Sequence, residues 1–499
     1  MGEARSRTFS WRAAITDKTI VAALCFVAAV MLALYFLNRP HADLYPDSAN
    51  YLQGASGLLQ GHVFSTTRLP GYPLFLVLTG ATSGSYGVVL VVQGLIYVGA
   101  VALSYYVVRR AFGRTWIAAL AGLMIATDLF AASYAKSLLS ETFAMGLVGA
   151  LAAVAAGFVG KPRAGLIWLM ALLSTLAALT RPEWVFFGLA AAIYTAGLLW
   201  RRRMLARFAW HGLCALGASY IVLGGYVAGN AVVNDFVGNT DITNLSLLGK
   251  VMQYRMQDEA PPAWASTTQI VDSYVAEGKS VWTLVGDHPE LAANHYERAG
   301  AYARSVILRD PATFVGRSIE IAAIRSADFD PQFATVTRGA PFDRPLRATE
   351  FLASARYFVL YLVPALALLW LVVPFLRSLD AFAGLGPVAL VVLYGTLVTA
   401  LGGFDEYGRY HVVFLPPALA LTWGTLGFNV QLAISSRRRN TTLMVAAVAV
   451  LLLELVGGVA FPFLPLPKEL LLVVFLAAQS GLVWLGVRRW RALPADTPS

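Results

Sequence analysis

The feature that most constrains this chain is a series of apolar runs, most of them about 20 residues long, that recur from residue 19 to residue 487. A helix needs about 20 mostly apolar residues to cross the hydrocarbon core of a bilayer. The runs predict an all-α polytopic membrane protein with about 12 transmembrane helices, near 19–37, 87–107, 115–133, 142–160, 164–180, 184–200, 208–228, 356–376, 384–401, 410–430, 441–461 and 469–487.

Composition excludes the other broad classes of protein. The chain is 58% hydrophobic and 13% charged, whereas a soluble globular chain has roughly 25% charged residues. A disordered chain would need low hydrophobicity and high charge. The net charge of +10 comes from short basic clusters between apolar runs, so no nucleic-acid partner is expected. Cys25 and Cys214 both lie inside apolar runs, and their spacing predicts neither a disulfide framework nor a metal cluster.

The basic residues predict the orientation of the chain. With a cytoplasmic N-terminus, the inside segments carry 20 lysines and arginines, as the positive-inside rule requires. The outside loops, apart from one long segment, carry six, namely Arg39, Arg68, Lys136, Arg181, Arg409 and Lys468. Both termini are therefore expected in the cytoplasm, and a bacterial cytoplasmic (inner) membrane is the expected location.

Two outside segments are too long to be simple connections, 38–86 and 229–355. They divide the chain into an N-terminal module of spans 1–7 (residues 1–228), the outside segment 229–355, a C-terminal module of spans 8–12 (356–487) and a cytoplasmic tail (488–499). In the second segment, Pro289 and Pro311 each predict the start of a helix with alternating apolar and basic residues. An amphipathic juxtamembrane helix is predicted in the first outside loop, with Asp47 at its start.

Acids and arginines gather in the loops of the predicted outer face. They are Asp43, Asp47, Arg68, Glu141, Arg181, Glu183, Glu406, Arg409 and His411. Taken singly, each has a structural explanation, such as a helix cap, a helix-dipole charge or a snorkelled interface pair. Taken together, ionisable residues this close to the hydrocarbon are costly and tend to be functional.

The chemistry that fits this set is transfer from a phosphate-bearing lipid to an acceptor hydroxyl. A carboxylate can take the acceptor proton as a general base. Arginines can hold a phosphate through paired hydrogen bonds and stabilise it as it leaves. A site at the membrane face lets the lipid tail stay in the bilayer while its head group reacts in water.

Several motifs resemble those of the GT-C membrane glycosyltransferases, especially the bacterial relatives of protein O-mannosyltransferases and of the lipid A aminoarabinose transferase. Asp47-Ser-Ala-Asn-Tyr51 resembles their first-loop motif, and Arg68-Leu-Pro-Gly-Tyr-Pro73 resembles the R-x-P-G-Y-P segment that follows it. Ser140-Glu141, Thr180-Arg-Pro182, the 298–325 stretch, Arg409-Tyr410 and Pro416-Pro417 resemble later family motifs. The resemblance covers residues 1 to about 430.

The resemblance implies a GT-C-like helix arrangement in which the first module is catalytic. It implies a polyprenyl-phosphate-linked sugar donor, membrane lipids as surroundings, and a lipid, glycan or protein acceptor. Asp47 would be the catalytic base, usually with inversion at the anomeric carbon. Arg68, Arg181 and Arg409 would bind the donor phosphate. Acceptor or substrate binding would fall to a further set of residues, Tyr72, Glu141, Glu183, Glu406 and His411.

One departure from the family concerns metal use. Many relatives have a second acid directly after the catalytic Asp, but here that residue is Ser48, which leaves Asp43 as the candidate second acid. A divalent cation would be held at Glu141 where one is used.

Three other interpretations stay open at this level. A transporter or flippase for lipid-linked sugars would carry several ionisable residues at mid-span, where almost none stand besides His211 and Glu454. An O-antigen-type ligase or polymerase would use histidines and arginines of a large late loop, and His288 and His295 fall in such a loop. A purely structural role is the third interpretation.

Overall fold

The computed structural model describes residues 11–325, 336–357, 360, 363–372, 375, 384–404 and 407–435. Within these ranges the chain forms α-helices joined by short 3-10 turns. The α-helices are Trp11–Asn38, Pro46–Leu59, Gly71–Leu78, Gly87–Phe112, Thr115–Ala126, Leu129–Tyr134, Glu141–Gly160, Ala164–Thr180, Phe187–Arg201, Leu205–Asn234, Ile242–Tyr254, Ala265–Ala276, Val281–Asp287, Pro289–Arg309, Pro311–Ile324, Asp343–Tyr357, Val363–Val372, Leu385–Gly402, Tyr407–His411 and Leu415–Ser435. The 3-10 turns are Ala81–Ser83, Pro182–Trp184, Gln257–Glu259, Pro262–Trp264 and Val412–Phe414.

Within the described ranges, seven helical segments are long and apolar enough to cross a membrane, as expected for a multi-pass membrane protein. They are Thr16–Asn38, Gly87–Phe112, Glu141–Gly160, Pro182–Arg201, Leu205–Asn234, Leu385–Gly402 and Tyr407–Phe428. Two shorter apolar helices, Thr115–Ala126 and Ala164–Thr180, match two further predicted spans. The predicted spans 441–461 and 469–487 and the tail 488–499 lie outside the described residues, so the count of about 12 stays a prediction.

The third predicted span, 115–133, is divided between two helices. The helix ends at Ala126, and a short helix, Leu129–Tyr134, follows it. The break occurs because the Asp128 carboxylate accepts a hydrogen bond from the backbone N–H of Ala131 at 2.8 Å and so caps a new helix start. Asp128 is buried, so this cap is internal to the bundle.

The central helix of the bundle is Gly87–Phe112. It packs against Trp11–Asn38, Thr115–Ala126, Glu141–Gly160 and Leu415–Ser435. Helices from the two predicted transmembrane modules therefore share one hydrophobic core. This packing brings the first loop and the loop before Leu415 close together, although more than 300 residues separate them in sequence.

The first long loop, 38–86, contains the predicted amphipathic helix, Pro46–Leu59. Its N-cap is Tyr45, whose backbone N–H donates to the Ser48 hydroxyl at 3.0 Å. Asp47 is the second residue of the helix, and its carboxylate is turned to other partners. The helix-cap explanation of Asp47 is therefore wrong. A second helix, Gly71–Leu78, packs against the first.

Residues 239–324 are here called the insert, and their buried apolar side chains form a second hydrophobic cluster that Phe404 joins. Leu245, Leu248, Tyr302 and Val306 are buried in it. Two of its helices begin at Pro289 and Pro311, as predicted from the proline positions. The Pro289 helix is interrupted where Asn294, His295 and Tyr296 adopt left-handed backbone conformations.

Candidate active site

Two arginines from distant parts of the chain converge on Asp47. Arg68, which follows the first-loop helix, forms an ion pair with one carboxylate oxygen, Oδ1. Arg409, on the short Tyr407–His411 helix, donates to the other oxygen, Oδ2, at 2.6 Å. The Asp47 side chain is 26% exposed, so both contacts lie in a partly enclosed place that remains open to water.

Glu141 joins the same cluster through Arg409. The Arg409 Nε donates to Glu141 Oε1, and Arg181 Nη1 lies 2.9 Å from the same oxygen. The Glu141 side chain is completely buried at the N-terminus of its helix. The guanidinium of Arg409 thus bridges two carboxylates, one buried and one partly exposed.

Arg181 is the third arginine of the cluster and is almost fully buried. Its Nε pairs with the Glu183 carboxylate, and its guanidinium lies 5.2 Å from the centre of the Tyr410 ring. The Ser140 hydroxyl accepts a hydrogen bond from Arg181 at 3.4 Å. It also forms a hydrogen bond with the Tyr51 hydroxyl at 2.9 Å. These contacts fix the Arg181 side chain from several directions.

Two of the sequence motifs touch each other directly below the cluster. The Gly71 backbone lies against the end of the helix that precedes Arg181, because an added Cβ would come within 2.5 Å of the Thr180 hydroxyl and 2.8 Å of the Leu179 carbonyl. Only glycine permits this approach. The segment that follows Arg68 is thereby packed against the helix end that precedes Arg181.

Among the residues that the structure describes, the charges of the cluster are balanced. Three arginines, Arg68, Arg181 and Arg409, contact three carboxylates, Asp47, Glu141 and Glu183. Burial raises the pKa of the Asp47 carboxyl, but the guanidiniums of Arg409 and Arg68 outweigh it and hold that pKa below its ordinary value. Asp47 is therefore an ionised carboxylate at neutral pH.

Two polar atoms in the cluster have no hydrogen-bond partner among the residues that the structure describes. They are Arg68 Nε, a donor, and Glu141 Oε2, an acceptor. A buried polar atom without a partner costs about 1–3 kcal/mol. A ligand that offers both an acceptor and a hydroxyl donor would satisfy both atoms.

A divalent cation does not fit the side chains as they stand. Asp47 and Glu141 are the two acids that face each other, and the Arg409 guanidinium occupies the place between them. Over the described ranges, no group of three or more His, Cys, Asp or Glu residues is arranged to hold a metal ion. The reaction proposed for this cluster therefore uses the side chains alone.

Asp43 lies in a separate group of charges. Its carboxylate pairs with Arg39 at 2.9 Å and with Lys136 at 3.1 Å. The Lys136 ammonium also donates to the His41 carbonyl and is 2% exposed. Burial lowers the pKa of Lys136 in spite of the nearby Asp43 carboxylate. The backbones of Asp43 and Ser137 form a bridge, so this group joins the first loop to the segment before Glu141.

Asp43→Asn is expected to lower stability and to leave the chemistry intact. The substitution leaves the buried Lys136 ammonium without its carboxylate, which should cost about 1–3 kcal/mol. Thermal unfolding of the purified protein in detergent should show a lower midpoint. The fraction that remains folded should keep its activity, and loss of activity in fully folded Asp43→Asn would identify Asp43, and not Asp47, as the essential acid.

The remaining predicted substrate-binding residues are placed differently. Tyr72 is fully buried, and its hydroxyl donates to Gln93 at 2.8 Å, so it lies beneath the charged cluster. His411 is also buried, against the ring of Phe414. Glu406 lies outside the described residues. The substrate-binding roles of these residues stay predictions.

Two supporting residues were not predicted from sequence. Gln93, in the middle of an apolar helix, is fully buried and donates to the carbonyls of Ala135 and Ser137, at 3.0 and 2.9 Å. It thereby holds the segment that leads to Ser140 and Glu141. Lys136 holds the same segment from the side of the first loop. The signal that could have identified Gln93 in the sequence is its polar amide side chain within a predicted apolar span.

Comparison with known proteins gives distant similarities only. No protein-family model matches the sequence, and no curated protein matches it significantly. Two solved structures are similar to the chain at a TM-score of 0.46, with 11% and 13% sequence identity. The first is the archaeal oligosaccharyltransferase AglB from Archaeoglobus fulgidus in complex with an inhibitory peptide and a dolichol-phosphate. The second is the Archaeoglobus fulgidus oligosaccharyltransferase tethered by a disulfide bond to an acceptor peptide containing the NVT sequon. Each similarity covers 95% of this chain but 56% of the archaeal chain, so this chain spans about half of the archaeal protein's length.

Proposed function

We propose that this protein is a membrane glycosyltransferase of the GT-C type that moves a sugar from a polyprenyl-phosphate donor to an acceptor hydroxyl. The observation that carries the proposal is the convergence of Arg68 and Arg409 on Asp47, with Arg181 joined through Glu141. The same residues carry the motifs that resemble the family. In this proposal Asp47 is the base, and Arg68, Arg181 and Arg409 are the groups that bind the donor phosphate.

The donor phosphate would bind by displacing carboxylates from the arginines. The donor phosphate is a diester with one negative charge, and its two non-bridging oxygens can accept hydrogen bonds from the same planar guanidiniums. Arg68 Nε, which has no partner among the described residues, supplies one further donor. The polyprenyl tail would remain beside the apolar helices, and the sugar would face Asp47 and Glu141.

The reaction follows from this placement. The acceptor oxygen attacks the anomeric carbon and forms the new glycosidic bond, while the bond between that carbon and the phosphate oxygen breaks. Asp47 takes the acceptor proton, and the polyprenyl phosphate leaves as an anion that the arginines stabilise. Attack from the face opposite the phosphate inverts the anomeric centre.

Donor binding itself would prepare Asp47 as a base. In the ligand-free cluster, the guanidiniums of Arg409 and Arg68 hold the pKa of Asp47 low, which makes the carboxylate a weak base. When the phosphate takes over those guanidiniums, the carboxylate loses its stabilising positive charges, and its proton affinity rises. Proton transfer to Asp47 is therefore favoured only when donor is bound.

The buried acids would contact the sugar or the acceptor. Glu141 Oε2 can accept a hydrogen bond from a sugar hydroxyl, and Glu183 keeps Arg181 oriented. The acceptor would be a lipid, a glycan or a protein that reaches the partly exposed side of Asp47. In this proposal both termini are cytoplasmic, the site faces the exterior or periplasm, and the membrane is a bacterial cytoplasmic membrane.

The rival functions find less support in the geometry. For a ligase of the O-antigen type, His288 and His295 would need to join the arginines. Instead, His288 contacts Glu290 at 3.1 Å, and His295 lies 3.5 Å from Asp241. For a transporter or flippase, charged groups would be needed along the middle of the spans, whereas Glu141 and Arg181 stand at helix ends.

A direct assay tests the proposal. The purified protein should be incubated with a panel of polyprenyl-phosphate sugars and crude acceptor fractions, and the products read by mass. The expected result is acceptor material heavier by one sugar, with release of polyprenyl phosphate. Movement of intact donor across proteoliposomes without any bond cleavage would instead establish a flippase.

A further inference from the structure

Lys250, in the insert, is a fully buried cation that the proposed reaction does not use. Its ammonium donates to the Tyr407 hydroxyl at 2.8 Å and to the Tyr254 hydroxyl at 3.2 Å. It also lies 4.8 and 5.0 Å from the centres of the two tyrosine rings. Burial of an ammonium is costly unless such contacts offset it. The contact with Tyr407 is notable because Tyr407 begins the short helix that carries Arg409.

The helix of Lys250, Ile242–Tyr254, holds the chain around Arg409 at further points. An added Cβ on Gly249 would come within 2.8 Å of the Phe404 ring, so the helix backbone at Gly249 lies directly against that side chain. The Tyr407 hydroxyl donates to Gln253 at 2.6 Å, and the Tyr254 hydroxyl donates to the Ala400 carbonyl at 3.0 Å. Together these contacts fix the chain on the N-terminal side of Arg409.

The N-terminal end of the same helix holds the segment that carries Arg68. The backbone N–H of Asp241 donates to the Thr66 carbonyl at 2.8 Å. The Thr240 hydroxyl donates to the Thr67 carbonyl at 3.3 Å. One helix of the insert therefore touches both chain segments that deliver an arginine to Asp47.

We propose that Lys250 is a positioning residue that sets Arg409 against Asp47 and Glu141 by holding Tyr407. Successive helical residues are turned by about 100°, so Tyr407 and Arg409 point to nearly opposite sides of their helix. Tyr407 then anchors the helix to the insert while Arg409 faces the carboxylates. The ligand assigned to Arg409 rests on the proposed function, but the anchoring of Tyr407 by Lys250 does not depend on it.

Lys250→Met tests the anchoring without reference to catalysis. Methionine keeps the length and apolar stem of lysine but removes the donors. In hydrogen–deuterium exchange of the purified protein, amides in 407–414 should exchange faster, while those in 64–70 should stay as in the wild type. Lys279→Met is the matched control, because Lys279 lies 5.0 Å from the Tyr274 ring on the exposed surface of the insert.

The second measurement is binding of polyprenyl phosphate. Lys250→Met should weaken it by about tenfold, the effect of losing well-oriented hydrogen bonds at one arginine. That loss should vanish in an Arg409→Ala background and persist in an Arg68→Ala background. Should Lys250→Met misfold, Tyr407→Phe removes only the anchoring hydroxyl and should show the same pattern.

The outcomes separate the two proposals. Unchanged exchange in 407–414, or equal acceleration in 64–70, would overturn the positioning role of Lys250. Equal losses of binding in the Arg409→Ala and Arg68→Ala backgrounds would overturn it as well. If the wild type binds no polyprenyl phosphate, the proposed function fails, and the exchange measurement still decides the role of Lys250.

Discussion

Arg409→Ala is expected to damage both stability and donor binding. The substitution leaves the fully buried Glu141 with Arg181 alone, and it leaves Asp47 with Arg68 alone. The thermal midpoint should fall, because loss of a buried charged partner costs about 1–3 kcal/mol even where a second partner remains. Affinity for polyprenyl phosphate should fall by about 10–100-fold, since a hydrogen bond to a charged group is worth about 1.5–3 kcal/mol.

Two comparisons make the Arg409 result specific. Arg409→Lys keeps the charge but cannot bridge two carboxylates with a planar fork, so it should recover only part of the affinity. Arg304→Ala removes an exposed arginine that donates to Asn244 at 2.8 Å, and it should leave donor binding unchanged. Wild-type affinity in folded Arg409→Ala would show that the guanidinium serves only to pair the carboxylates.

Asp47→Asn should give a folded protein that binds donor and does not turn over. General-base assistance is worth about 10²–10⁴-fold in rate, and an amide cannot supply it. The substitution also removes a negative charge that faces Arg68 and Arg409, so donor phosphate should bind as well as before or more tightly. Steady-state sugar transfer and polyprenyl-phosphate binding, measured on the same preparation, test the loss of turnover and the retention of donor binding.

Asp43→Asn is the matched control for this experiment. It changes the same functional group four residues earlier, in the separate cluster with Arg39 and Lys136. Normal turnover by Asp47→Asn together with an inactive, folded Asp43→Asn would identify Asp43 as the base. Normal turnover by both variants would contradict the glycosyltransferase mechanism altogether.

Local signals in the sequence predicted much of the described fold. The span predicted at 164–180 is the helix Ala164–Thr180, and the prolines at 289 and 311 mark two observed helix starts. These features depend on hydrophobic run length and on proline, both of which act within a few residues. The break at Asp128 was missed because one capping carboxylate hardly changes the mean hydropathy of a 20-residue run.

The grouping of these charged residues was predictable in part, but their pairing was not. Sorting polar residues by predicted membrane side brought Asp47, Glu141, Arg181 and Arg409 into one set, which also held Asp43, although Asp43 lies in a separate group of charges. The sequence contains no signal that Arg409 bridges two acids, because these contacts join residues 362 and 268 positions apart and depend on how distant helices pack together. Lys250 was missed because a lysine in a polar outside segment is usually on the surface.

The proposed function depends most on the three arginines forming the binding site of a lipid phosphate. Native mass spectrometry of the purified protein with polyprenyl phosphate, in competition with a zwitterionic phospholipid, measures this directly. The wild type and Arg304→Ala are expected to retain one polyprenyl phosphate, while Arg68→Ala, Arg181→Ala and Arg409→Ala should lose it. Retention of the lipid by all three folded variants would contradict the claim.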